Sequence, residues 1–217
     1  MTDFAKRRET MVDTQVRPSD VTKFPIIDAM LTVPREMFVP NERRDAAYVG
    51  ENLDIGNGRI VIDPRVLAKI LEAIDIQPDE MVLDVGAVLG YTSAVIARLA
   101  EAVIALEEQS ELASEAERAL SEVGADNVAV VEGPLAEGAA QHGPYDAIVV
   151  GGAVEHIPDA LTDQLKDGGR IVAIFLEGAL GKVKVGYRID GAVTWRFAFN
   201  AGAPVLPGFE ARRAFVL

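Results

Sequence analysis

Val82-Leu83-Asp84-Val85-Gly86-Ala87-Val88-Leu89-Gly90-Tyr91 is the stretch on which the reading of this chain turns. An apolar run ends in glycines, a helical pattern begins at Tyr91, and Glu107 closes the next apolar run. Strand, tight turn, helix N-terminus and downstream carboxylate is the order in which an α/β sheet builds a nucleotide crevice, the carboxylate facing ribose hydroxyls. Glu107 follows Gly86 by 21 positions, close to the roughly 20 expected for that role. The dinucleotide fingerprint Gly-x-Gly-x-x-Gly is not met, because three residues separate Gly86 from Gly90. Val88 stands in the middle of the turn, where close approach of backbone to a ligand favours glycine. A strand-turn-helix with no ligand accounts for this short segment equally well.

Outward from the turn, short apolar runs alternate with helical segments. The runs are Met81–Val85, Val103–Leu106, Val128–Val131, Ala147–Val150 and Ile171–Phe175, with helices expected at Tyr91–Leu99, Glu111–Leu120 and Asp159–Leu165. Continuous rather than alternating apolar runs predict strands buried on both faces, hence a mostly parallel sheet covered by helices. Lys182–Ile189 and Val193–Phe199 flank Asp190-Gly191, a strong hairpin signal. Trp195, Phe197 and Phe199 alternate there, which predicts one buried sheet face. Before the turn, Thr22 is expected to cap a helix carrying Ile26, Ile27, Met30 and Leu31, and Arg35–Pro40 reads as an extended link. Asp54–Arg59 reads as a loop, and Asp63-Pro64 as a helix start with cap and first-turn proline.

Composition narrows the function classes. The chain has 217 residues, 49% of them apolar, which fits one domain with an ordinary core. We expect a helical extension over 1–75 and a Rossmann-like core over 76–217. The formal net charge of −13 argues against a nucleic-acid partner, which needs clustered Lys and Arg. No apolar run reaches bilayer length, so no membrane partner is expected. With no cysteine, thiolate chemistry and Cys-based metal sites are excluded, and the expected location is cytoplasmic. His142 and His156 have no local partners and carry no metal signature; His156 is expected to be a solvated loop residue.

Asp84 precedes Gly86 by two, so the turn resembles the first motif of class I S-adenosylmethionine-dependent methyltransferases, Asp/Glu-x-Gly-x-Gly-x-Gly, with Val88 at the central glycine. A second match lies upstream. Met11-Val12-Asp13-Thr14-Gln15-Val16-Arg17, then Val33-Pro34-Arg35-Glu36-Met37-Phe38-Val39-Pro40, then Ala47-Tyr48, resembles the opening of protein-L-isoaspartate O-methyltransferases. The likeness continues through Gly56-Asn57-Gly58, Tyr145–Val150, Ile157–Leu161 and Gln164–Arg170. It implies a class I methyltransferase fold with a C-terminal antiparallel hairpin and an N-terminal helical extension. It further implies S-adenosylmethionine as cofactor, no metal, and a protein or peptide substrate methylated at an isoaspartyl carboxylate. The cofactor-facing positions it points to are Asp84, Gly86, Gly90, Glu107 and Gly133.

Three ligand-facing positions depart from the family pattern. Ile62 stands where the resemblance places a serine beside the substrate carboxylate, so no catalytic residue is assigned. Val88 replaces the central glycine, and Pro134 the adenine-side aspartate. These changes predict weakened cofactor binding and weak or absent transfer, and leave open a non-catalytic binding protein or a methyltransferase for another acceptor. If glycine's positive φ is needed at Val88, a β-branched residue there requires the turn to rearrange. Glu107 is expected to sit exposed at its strand end, so that Glu107→Ala weakens ligand binding and leaves stability nearly unchanged.

Overall fold

The computed structural model describes residues 3–211. Phe4–Met11 forms α1, capped by Asp3, and continues through a wider π turn at Val12–Val16. Phe24–Thr32 forms α2, which buries Ile26, Ile27 and Met30. Thr22 does not cap it: its hydroxyl donates to Glu72 Oε1 at 3.1 Å, and Lys23 occupies the cap position. Pro25 in the first turn already removes one orphan N–H, which lowers the need for a capping side chain. Arg35–Phe38 is a 3-10 turn rather than an extended link. The spacing explains it, because residues three apart eclipse in such a turn and Arg35 and Phe38 are both fully buried.

The segment expected as a loop is a small antiparallel hairpin, β1 (Leu53–Gly56) and β2 (Arg59–Val61), turning at Asn57-Gly58. Both turn residues have positive φ, as tight hairpins of this kind require. All three residues of β2 are buried, Arg59 included. Then α3 (Pro64–Ile74) starts where Asp63 Oδ1 accepts from Arg65 N at 2.7 Å and Val66 N at 3.4 Å.

The main sheet follows: β3 (Met81–Val85), α4 (Tyr91–Ile96), β4 (Ala102–Glu107), α5 (Ser110–Glu122), β5 (Val128–Glu132), β6 (Tyr145–Val154), α6 (Asp159–Thr162), β7 (Leu165–Glu177), β8 (Leu180–Ile189) and β9 (Ala192–Asn200). Strand order is β5-β4-β3-β6-β7-β8-β9. β5 to β7 pair in parallel, while β8 and β9 join antiparallel, as the apolar runs and Asp190-Gly191 predicted. Helix α6 stops early because Leu165 is already in β7, paired with Tyr145. The order reverses between β3 and β6, so a ligand crevice belongs at their carboxyl ends.

The aromatic alternation of β9 does not give one buried face. The β8–β9 register shifts between Val183 and Lys184, with Phe199 opposite Val183 and Phe197 opposite Lys184. That extra residue turns Phe199 to the sheet face opposite Trp195. Trp195 packs edge-on against Phe175 at 4.7 Å, Phe199 lies under Lys69, and Phe197 is 59% exposed.

Arg170 on β7 ties α3 to the sheet. Its guanidinium forks onto Glu80 (Nη1 to Oε1 2.6 Å, Nη2 to Oε2 2.7 Å) and also donates to the carbonyls of Ile74 and Asp75. Hydrogen bonds to charged groups contribute about 1.5–3 kcal/mol each and are not additive. Arg170→Met should therefore lower unfolding free energy by roughly 2–4 kcal/mol. Urea denaturation of the two proteins checks it; a change below about 0.5 kcal/mol would show the fork to be incidental.

Candidate functional site

The crevice is built on the turn after β3. Gly86 N and Ala87 N both donate to Leu106 O, at 2.9 and 3.0 Å, which bends the chain out of the sheet. Gly86 and Gly90 take positive φ, 80° and 91°. Val88 does as well, at 58°, so the turn has not rearranged around the valine. A β-branched residue held left-handed costs on the order of 1–3 kcal/mol. Burial of its side chain and a 2.9 Å bond from Val88 N to Glu107 Oε2 hold it there.

Glu107 is fully buried, contrary to the exposed strand end expected. Its Oε1 accepts from Glu108 N at 3.0 Å and Gln109 N at 3.1 Å. Its Oε2 accepts from Val88 N and from Arg59 Nη2, in an ion pair with both side chains fully buried. An ionised carboxyl group has about four acceptor positions, and here all are taken. The hairpin β1–β2 carries Arg59 inward, and its Nε and Nη1 find no partner. A Cβ built on Gly86 would stand 3.4 Å from Arg59 Nη2 and 3.3 Å from Leu206 Cδ1. The guanidinium and Leu206 thus lie against the bare side of the turn's first glycine.

Leu206 belongs to a strap that crosses the carboxyl edge of the sheet. Ala153 N donates to Pro204 O and Leu206 N to Ala153 O, both at 2.9 Å, while Glu155 N and His156 N donate to Phe209 O. Val205 pairs in parallel with Ala153. Leu206 presses on Gly152, where an added Cβ would meet its Cγ at 2.6 Å, and Phe209 is fully buried in the cluster that holds Leu106 and Leu135. The space left between Ile60, Ile62, Gly86, Val88, Tyr91 and Gly151 is about 10 Å³. That is at the limit for one water molecule, roughly 10–15 Å³.

Asp84 is fully buried, accepting from Ser93 Oγ at 2.5 Å through Oδ2 while Oδ1 has no partner. Burial pushes its carboxyl up to about 7, with nearby Glu107 adding to the rise and Ser93 and Arg59 opposing it. Ile62 is buried at the mouth of the same turn, and its carbonyl accepts from Arg35 Nη2 at 2.7 Å. Arg35, whose protonated form burial disfavours, also stacks 4.6 Å above the Tyr91 ring and donates to Ala47 O. Gly133 closes the far side, its N–H donating to Glu107 O at 3.1 Å. The structure therefore brings Ile62, Asp84, Gly86, Val88, Gly90, Glu107 and Gly133 to one place. Pro134 is exposed beside it, His142 is exposed in a short 3-10 turn (Ala140–His142) and His156 is exposed in a loop. Among the described residues no group of three His, Asp or Glu side chains is placed to hold a metal.

A parallel sheet reversing at β3 and β6, with a glycine turn over an acidic strand end and an antiparallel closing pair, defines a class I methyltransferase fold. The family model for protein-L-isoaspartate(D-aspartate) O-methyltransferase matches residues 6–185, and the chain belongs to that family. The protein-L-isoaspartate O-methyltransferase 1 of Rhodopseudomonas palustris (strain HaA2) is 40% identical over 171 residues, covering 79% of this chain and 70% of the relative. That of Koribacter versatilis (strain Ellin345) is 39% identical over 172 residues, 79% and 78% of the two chains. Among solved structures, a protein-L-isoaspartate O-methyltransferase superposes with a TM-score of 0.81 at 24% identity, over 93% of this chain and 66% of that one. A Plasmodium falciparum β-aspartate methyltransferase, in complex with S-adenosyl-L-homocysteine, superposes at 0.78 and 18% identity, over 95% and 99%.

S-adenosylmethionine is the cofactor of this family, and in this structure Arg59 and Leu206 lie against the turn that would face it. The Glu107 carboxylate has no acceptor position free for ribose hydroxyls, and a cation already sits on it. Sequence reasoning weighed Ile62, Val88 and Pro134 but passed over Arg59. A signal was available: a lone charged residue leading the apolar run Ile60-Val61-Ile62, beside the segment where the resemblance was followed.

Removing Glu107 leaves a buried guanidinium unpaired, which costs about 3–5 kcal/mol. Glu107→Ala is thus expected to lower stability by that amount, and a thermal midpoint within a degree of the parent would show that Arg59 escapes to water. Asp84 supplies a pH dependence. Its folded-state value near 7 lies above the unfolded one, about 3.9, so the folded state keeps the longer-held proton. The stability this gives is complete below about pH 4 and is lost as pH rises toward 7. Asp84→Asn keeps an acceptor for Ser93 and cannot ionise. Measured against it, the wild-type thermal midpoint should fall between pH 4 and 7 and then run parallel; a constant difference across that range would refute the assignment.

Proposed function

We propose that this chain retains the scaffold for methyl transfer from S-adenosylmethionine to isoaspartyl carboxylates in damaged proteins, that the reaction itself is weak or lost, and that the chain acts as a protein- or peptide-binding relative of the repair enzymes. The observation that supports this is the closed crevice, with Arg59 on Glu107 and Leu206 on Gly86. Asp84, Gly86, Gly90, Glu107 and Gly133 are the positions that would face the cofactor. Around them Asp84 accepts from Ser93, Glu107 from Val88 N, and Gly133 N donates to Glu107 O.

The acceptor side points the same way. An isoaspartyl carboxylate with a pKa of roughly 4 is already ionised at neutral pH, so the reaction demands alignment of oxygen with the methyl group rather than acid–base help. Ile62 offers no donor for that alignment. A hydrogen bond to a charged group is worth about 1.5–3 kcal/mol, which is one to two powers of ten in rate. The net charge of −13 favours a protein partner over nucleic acid, and we place the cysteine-free chain in the cytoplasm.

The test is labelled-methyl incorporation into an isoaspartyl peptide, with the aspartyl isomer as control. Wild-type incorporation should lie at the level of the control, and Ile62→Ser alone should not raise it, since the crevice is still filled. Robust turnover specific to the isoaspartyl peptide would overturn the reading.

A further inference from the structure

We propose that Arg59 and Leu206 are the resident occupants of the nucleoside crevice, an internal plug in which a guanidinium takes the ligand's place on Glu107 and the 204–210 strap covers it, so that the chain excludes S-adenosylmethionine and its product until both leave. The proposal rests on reading this crevice as the family's cofactor place.

Four observations converge. Glu107 accepts from three main-chain N–H groups as well as from Arg59 Nη2, which fills its acceptor positions. The guanidinium and the Leu206 side chain approach the same face of Gly86, the residue whose missing side chain would otherwise admit a ligand. Leu206 bridges Gly86, just after β3, to Gly152 on β6, the two sides of the switch point. Main-chain hydrogen bonds from Ala153, Glu155 and His156 hold the strap along the end of β6. Charge adds selectivity. The methyl donor carries a sulfonium and an ammonium group, and a fixed guanidinium in a water-poor crevice repels both.

The asymmetry of the ion pair shows which partner is the addition. The carboxylate is complete, whereas Arg59 Nε and Nη1 are buried without partners. Arg59 fits a site whose anion is already organised by the turn. Withdrawing Arg59 leaves Val88 N, Glu108 N and Gln109 N still orienting Glu107, with one acceptor position open toward the crevice.

The experiment is calorimetric titration of the full chain with S-adenosylhomocysteine, paired with thermal shift at millimolar ligand. Wild type should show no saturable binding and no shift. Arg59→Gln, which keeps an N–H donor for Glu107, combined with Leu206→Ala, should gain at least tenfold in affinity and a ligand-dependent rise in midpoint. Micromolar saturable binding by wild type overturns the plug, and this arm stands even where the double variant fails to fold. A folded double variant with no gain also overturns it, leaving Val88 and Pro134 as the cause of exclusion. Adding Glu107→Gln to the opened protein separates the two readings. Loss of the gained affinity supports both, while retained affinity places the ligand elsewhere and sinks the crevice assignment rather than the opening effect.

Discussion

A guanidinium removed from water requires an anion removed with it, and the Arg59–Glu107 pair sets what the carboxyl edge of this sheet can do. Breaking such a pair is costly because one charge is stranded, whereas the intact pair contributes little net stability over an apolar pair of similar volume. Its importance is therefore geometric. Glu107 fixes the β3 turn through Val88 N and the start of the following segment through Glu108 N and Gln109 N. Arg59 fixes the β1–β2 hairpin to that same carboxylate. One side chain thus joins the N-terminal hairpin, the glycine turn and the strand end.

The strained turn depends on the same group. Val88 at a φ of 58° is a conformation that glycine adopts freely and valine resists. It persists because the side chain is buried in the main core cluster and the N–H is held by Glu107. Retention of the left-handed turn with a valine in it shows that the backbone path is set by the sheet and by Leu106 O, which receives both Gly86 N and Ala87 N.

Much of this was legible in the sequence. Continuous apolar runs gave the parallel strands, buried in β3, β4 and β6 though not in the edge strand β5, and Asp190-Gly191 gave the β8–β9 turn, where both residues have positive φ. Asp63-Pro64 gave the start of α3 with its cap. The failures have local causes. Arg35 and Phe38 are pulled inward by tertiary contacts that an apolar-pattern reading assigns no weight, since an arginine is not expected in a core. The one-residue shift opposite Lys184 sends Phe199 to the other face from Trp195, and nothing in an alternating aromatic pattern reports a bulge. At the site, Ile62, Val88 and Pro134 were visible as departures, because each replaces a residue type with a ligand role. Arg59 and Leu206 were not, because their effect depends on one hairpin residue and a distant strap arriving at the same glycine.

The glycines themselves show why a cofactor motif can outlast its cofactor. Gly90 has a φ of 91°, and a Cβ there would stand 3.1 Å from Leu120 Cγ, so α5 packs on it whether or not a ligand is present. A Cβ at Gly151 would come within 2.9 Å of Gly86 O, a backbone-to-backbone approach that joins β6 to the turn. Gly86 needs its φ of 80° to leave the sheet. All three are demanded by the fold, as is Glu107, through the main-chain donors it satisfies. Arg59 and Leu206, by contrast, are side chains that reach the bare face of Gly86 from outside the turn. In a fold of this kind, glycine spacing and a strand-end carboxylate report that the crevice is built; only the volume and charge above the first glycine report whether it is open.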